Sequence, residues 1–209
     1  MTHLLKLTGT AIIFTLLIAT GSALGDSARD GADTPEDAYA ALQASARDRD
    51  TQRFAELVVP GLRGQFMLLL WHFSGELAFG SDDTASVAQA YEAIAERHGF
   101  LADLNRYEGL YRVSEDEART IIEDMRERLT NSPRITTFIA ETLAHIADTM
   151  RAQEYTSTFL GHIDVSAEPT LERVDDDKAK VIQNGRELWF YRPDADGPWY
   201  FWASELPFL

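Results

Sequence analysis

The sequence predicts an α+β domain, with N-terminal helices packed on a C-terminal antiparallel sheet. Apolar residues recur at helical spacing from Ala38 to Met150. From Thr158 onward the period changes from 3.6 to 2, and Asn184-Gly185 supplies a hairpin turn, because both residues accept positive φ. No Gly/Pro/Ser-rich linker separates the two halves, so one domain spans 34–209.

Helical signals begin at Thr34, an N-cap followed by Pro35 at the first helical position and Asp37 at the third. Ala38, Tyr39, Leu42 and Ala46 form its apolar stripe. Thr51 restarts a short helix through Phe54, Leu57 and Val58, which Pro60-Gly61 stops. Phe66 to Phe73 is almost continuously apolar and reads as a buried helix, with a central strand as the competing reading. Thr84 to His98 carries Val87, Tyr91 and Ile94 at helical spacing and ends at Gly99. Residues 100–113 read as loop with a short turn. Ser114 and Glu117 form a capping box for Glu115 to Leu129, and Arg134 to Met150 is the cleanest amphipathic pattern in the chain. Five strands are then expected: Thr158–Ala167, Thr170–Val174, Lys178–Gln183, Arg186–Arg192 and Trp199–Ser204.

Residues 1–25 have the layout of a secretory signal peptide. Lys6 is the positive flank, Ala11 to Ala19 the apolar centre, and Gly21, Ser22, Ala23 and Gly25 the small residues near a cleavage point. An uncleaved anchor is the competing reading, but the strongly apolar part is too short to span comfortably. The protein is therefore expected to be secreted or periplasmic, with residues 26–33 a flexible lead.

The 209 residues carry 19 Lys plus Arg against 34 Asp plus Glu, a net charge of −15. Such a field argues against nucleic-acid binding and against anionic lipid surfaces. With no cysteine there is no disulfide, thiol nucleophile or zinc–thiolate site.

Two stretches resemble the NTF2-like (cystatin-like fold) superfamily, especially its small secreted members of unknown function. One runs Thr34-Pro35-Glu36-Asp37-Ala38-Tyr39-Ala40-Ala41-Leu42, then Asp48-Arg49-Asp50, Phe54 and Leu57-Val58-Val59-Pro60. The other is Gly185 to Phe190 followed by Asp196-Gly197-Pro198-Trp199-Tyr200-Phe201. Together they cover about a third of the chain. The resemblance implies a cone, with helices over a strongly curved sheet and a pocket between them. Residues 62–150 depart from it, because they hold about four helical segments where the family usually has one extra helix.

Enzymes of that superfamily often use a buried His–Asp pair. His162 and Asp164 would share one side of a strand, and His145 and Asp148 stand one helical turn apart. Either pair could supply a general base, yet such spacings arise readily by chance in an acidic chain and more often mark surface pairs. No catalytic motif carries over residue by residue, so no catalytic residue is assigned. Asp175-Asp176-Asp177 and Asp194/Asp196 offer oxygens for calcium, but an EF-hand counted from Asp194 fails at its sixth position, which is Trp199 where glycine is required. No metal or cofactor is assigned.

The C-terminal aromatics are the most unusual feature. Alternation separates Trp189 and Tyr191 from Phe190, and Trp189, Tyr191, Tyr200 and Trp202 become the candidate ligand-binding set. The expected function is an exported domain that binds a small apolar or cationic ligand, or a protein partner, without enzymatic chemistry. A cofactorless hydrolase or isomerase using a pocket histidine is one alternative. A structural homodimeric envelope protein is the other.

Overall fold

The computed structural model describes residues 31–79, 84–152, 170–183 and 186–202. The expected leader, residues 26–30 of the lead, the strand Thr158–Ala167, the pair His162/Asp164 and the Asn184-Gly185 turn lie outside the described residues. No helix among the described residues is long and apolar enough to cross a membrane.

Helix α1 (Pro35–Asp48) starts as the sequence predicts, the Thr34 side chain accepting from the Asp37 backbone N–H at 3.1 Å. It ends at Arg49, whose φ of 57° places it in the left-handed region. Asp50 then caps α2 (Thr51–Leu57) by accepting from the Arg53 N–H at 2.9 Å. The apolar run is helical: α3 spans Arg63–Phe79. Helices α4 (Thr84–His98), α6 (Glu115–Thr130) and α7 (Ile135–Ala152) follow the sequence reading closely.

Residues 100–113 differ from the expectation. They contain helix α5 (Leu101–Glu108) and a 3-10 turn, Leu110–Arg112. Phe100, its N-cap residue, offers no polar side chain, which removes the start signal. The helix is held by burial of Leu104 and by Asp103, a buried carboxylate paired with Arg128 of α6 at 2.9 Å.

The sheet is an antiparallel meander, β1 (Thr170–Asp175), β2 (Lys178–Gln183), β3 (Arg186–Tyr191) and β4 (Tyr200–Phe201), in sequential order. It is open and flat rather than a curved cone, which overturns the NTF2-like (cystatin-like) resemblance and the cone drawn from it. Curvature of that kind needs long strands wrapped over a helix, and here β4 is two residues long and β1 is largely exposed. The fifth expected strand is correspondingly shorter than Trp199–Ser204. An isolated bridge to Ala32 extends it at Trp199, with N–H to carbonyl bonds of 2.9 and 2.6 Å. Residues 31–33, expected to be part of a flexible lead, thus end pinned to the sheet.

Helices carry most of the core. Phe66, Met67, Leu70, Met125, Leu129, Phe138, Ile139 and Ile146 are buried among α3, α6 and α7. The inner face of the sheet joins that core through a chain of rings: Tyr39 to Phe190 (6.2 Å), Phe190 to Phe201 (5.9 Å), Phe201 to Phe54 (6.0 Å) and Phe54 to Phe66 (6.2 Å). Edge-on and tilted pairs of this kind add to the burial itself. The buried Arg63 guanidinium donates to the Glu56 and Val58 carbonyls (3.0 and 3.2 Å) and to Thr136 Oγ1 (2.9 Å). It thereby satisfies carbonyls left over at the end of α2 and ties them to α7.

Helices α3 and α6 touch backbone to backbone at Gly64, whose N–H donates to Thr130 Oγ1 at 3.2 Å. A Cβ at Gly64 would collide with the Arg126 carbonyl and the Thr130 hydroxyl. Gly64→Ala should therefore cost about 2 kcal/mol through overpacking, read as a lower urea midpoint at unchanged slope. Gly61→Ala, where a Cβ meets open space, should move the midpoint far less. Equal midpoints for the two variants would contradict the close crossing.

Candidate functional site

The residues singled out from the sequence fall into three places. Trp189, Tyr191, Tyr200 and Trp202 do share one face of the sheet, the one turned away from Phe190 and Phe201. Tyr191 stands opposite Tyr200, and the Trp202 N–H donates to the Trp189 carbonyl at 2.8 Å. Much of their surface is spent within the protein. Tyr200 is buried, Tyr191 leans on Trp202 with centroids 5.6 Å apart, and Lys180 Nζ sits 5.7 Å from the Trp189 ring. Lys180 is itself held by Glu187 (2.8 Å) and Glu172 (3.4 Å), and the Glu187 hydrogen bond raises its pKa from the ordinary lysine value.

The aspartates of the β1–β2 turn serve the fold through their backbone. Arg192 donates its backbone N–H to the Asp177 carbonyl (2.9 Å) and Nη2 to the Asp176 carbonyl (2.8 Å), while its guanidinium lies 5.2 Å from the Trp199 ring. Among the described residues, no group of three or more His, Asp or Glu side chains is placed to hold a metal ion.

His145 and Asp148 are both on α7 but do different things. Asp148 is exposed and pairs with Arg151 at 3.0 Å. The His145 ring packs edge-on against Tyr91 of α4, with centroids 4.4 Å apart. Burial pushes the imidazole pKa below the ordinary histidine value; the Val87 backbone carbonyl and the Asp148 charge oppose this without overcoming it.

A cleft between α3 and α4 opens beside that contact. It is lined by Trp71, Ser74, Gly75, Ala78, Ala88, Tyr91 and Glu92 and holds about 60 Å³. Tyr91 is nearly fully buried, and its ring meets Trp71 edge-on at 6.5 Å. Its phenol pKa is raised by burial, against the opposing influence of the Ser74 and Thr149 hydroxyls beside it. Even so, Tyr91 Oη makes no hydrogen bond of good geometry among the described residues, and neither does His145 Nε2, though both atoms are buried. Ser74 cannot pass its proton to a base, because its hydroxyl donates to the Leu70 carbonyl at 2.6 Å.

Gly75 forms part of the lining and is itself exposed. A glycine inside a helix costs about 1 kcal/mol relative to alanine, and here a Cβ would meet nothing within 4 Å. Apolar periodicity places Tyr91 in a core stripe and says nothing of its hydroxyl, so the cluster is invisible in either helix alone. A glycine interrupting a strongly apolar helix is the one signal the sequence offers. No protein-family model matches the chain, and neither a curated protein nor a solved structure matches it.

Because His145 is held neutral in the fold, the unfolded chain takes up its proton first as pH drops. Its contribution is complete above about pH 6.5, the ordinary histidine value, and is lost as pH falls toward the lower folded value. Between about pH 7.5 and about pH 5.5 the melting temperature should fall more steeply for the wild type than for His145→Phe, which keeps the ring contact. Parallel curves in differential scanning calorimetry would contradict the half-buried neutral imidazole.

Proposed function

We propose that the chain is an exported, non-catalytic binding domain whose ligand seats in the α3–α4 cleft. The observation that carries this reading is the buried Tyr91 hydroxyl, which has the Ser74 and Thr149 hydroxyls beside it but makes no hydrogen bond of good geometry, at an opening lined by a mid-helix glycine. A buried polar group without a partner costs about 1–3 kcal/mol, and a ligand supplying that partner recovers it. Export is supported by the Lys6, Ala11–Ala19 and Gly21–Gly25 pattern. The non-catalytic reading is supported by the engagement of Ser74 with Leu70 and of Asp148 with Arg151, which leaves neither arranged to drive chemistry through His145.

A second reading, self-association through the outer sheet face, is favoured by Ile182, which is 40% exposed on the face that carries the aromatic set. It predicts a concentration-dependent dimer in sedimentation, dissolved by Ile182→Lys.

The cleft reading is tested with ¹³C-methyl and ¹⁵N-labelled mature protein titrated with small fragments of neutral, anionic and cationic character. Resonances of Ala78, Ala88 and Tyr91 should shift together and saturably. Gly75→Leu, which projects a side chain into the opening, should abolish those shifts while leaving the remainder of the spectrum in place. Shifts confined to other surfaces, or unaffected by Gly75→Leu, would refute it.

A further inference from the structure

The lining of the cleft narrows the chemistry of its occupant, on the proposed reading that a ligand seats there. Among the described residues the only charged lining side chain is the carboxylate of Glu92 on α4, which is exposed and makes no ion pair with another described residue. Among the described residues no Lys or Arg lines the cleft, so an anion would meet the like charge of Glu92 there. Two of the lining side chains, Trp71 and Tyr91, are aromatic and meet edge-on at 6.5 Å, and aromatic rings attract a cation. Tyr91 Oη, which makes no hydrogen bond of good geometry although the Ser74 and Thr149 hydroxyls lie beside it, can accept from the N–H of a ligand. The chain's net charge of −15 draws cations toward every such opening.

We infer that the cleft between α3 and α4 binds a small organic cation, an alkylammonium whose charged head sits between Glu92, Trp71 and Tyr91 and whose carbon chain lies over Gly75 against Ala78 and Ala88. At about 60 Å³ the space takes only a handful of heavy atoms. An ammonium on a short chain fits, and so does the end of a lysine side chain. A large planar cofactor does not.

Butylammonium, 1-butanol and butyrate have closely similar size and differ in charge. Titrated at low ionic strength and followed at Ala78 and Ala88, butylammonium should bind at least about tenfold more tightly than butanol, and butyrate more weakly than either. Added salt should weaken butylammonium and leave butanol unchanged. Glu92→Gln should bring butylammonium down to the butanol level, and unchanged butanol binding would show that the variant still folds. Acetyl-lysine N-methylamide in place of butylammonium separates the sources, since stronger binding of the lysine derivative identifies a peptide-borne cation and stronger binding of the free amine a metabolite. If butanol equals butylammonium, the cation inference fails and the cleft reading stands. If none of the three shifts Ala78 or Ala88, both fail.

Discussion

Helix α3 buries more than half of its circumference, and the rest of the architecture answers to that. Phe66, Met67, Leu68, Leu70 and Trp71 are all buried and sweep about 200° of the helix at 100° per residue, leaving a strip along Gln65, Leu69 and the exposed His72 toward solvent. A helix apolar over so wide an arc has to be walled on several sides. A sheet offers one flat face and cannot do this alone, so α4, α6 and α7 close around α3 and the sheet is left at the margin of a helical core. The same constraint explains why the chain does not form a cone, in which a long curved sheet would be the principal wall.

The sheet remains coupled to that core through α2. Phe54 touches both Phe201 of the last strand and Phe66 of α3, so the two layers share one buried ring. Arg63 fixes the orientation of α2 by taking up its terminal carbonyls, and a second polar tie, Gln183 Nε2 to the Tyr39 hydroxyl at 2.9 Å, holds β2 to α1. Buried polar contacts of this sort specify one arrangement among several that would bury similar area. The proposed binding cleft is where Ser74, Gly75 and Ala78 of α3 come against Ala88, Tyr91 and Glu92 of α4.

The α+β class and most helix boundaries were legible because they rest on local chemistry. Thr34 and Ser114 are caps whose side chains bond as their identity dictates, and the spacing of Ile135, Phe138, Ile139, Leu143 and Ile146 admits one period. Helix α5 was not legible, since its N-cap is Phe100 and its anchor is a long-range pair between Asp103 and Arg128. Sheet curvature is set by strand length and by what lies beneath, which explains why the motifs at the two ends of the domain suggested a fold that the middle does not allow. The cleft was hidden for a related reason. Trp71, Ser74 and Gly75 lie on α3, Tyr91 and Glu92 on α4, and His145 and Thr149 on α7, and no local pattern announces that three helices will meet there.

Native-state hydrogen exchange measured residue by residue tests most directly whether α3 is the element around which the rest is organised. Amides of α3 from Leu68 to Trp71 should be among the slowest in the molecule, exchanging only through global unfolding, whereas those of the exposed strand β1 should exchange through local opening at much lower free energy. Strands β2 and β3 retaining protection after α3 has exchanged would contradict this, and would make the sheet, not the apolar helix, the foundation of the fold.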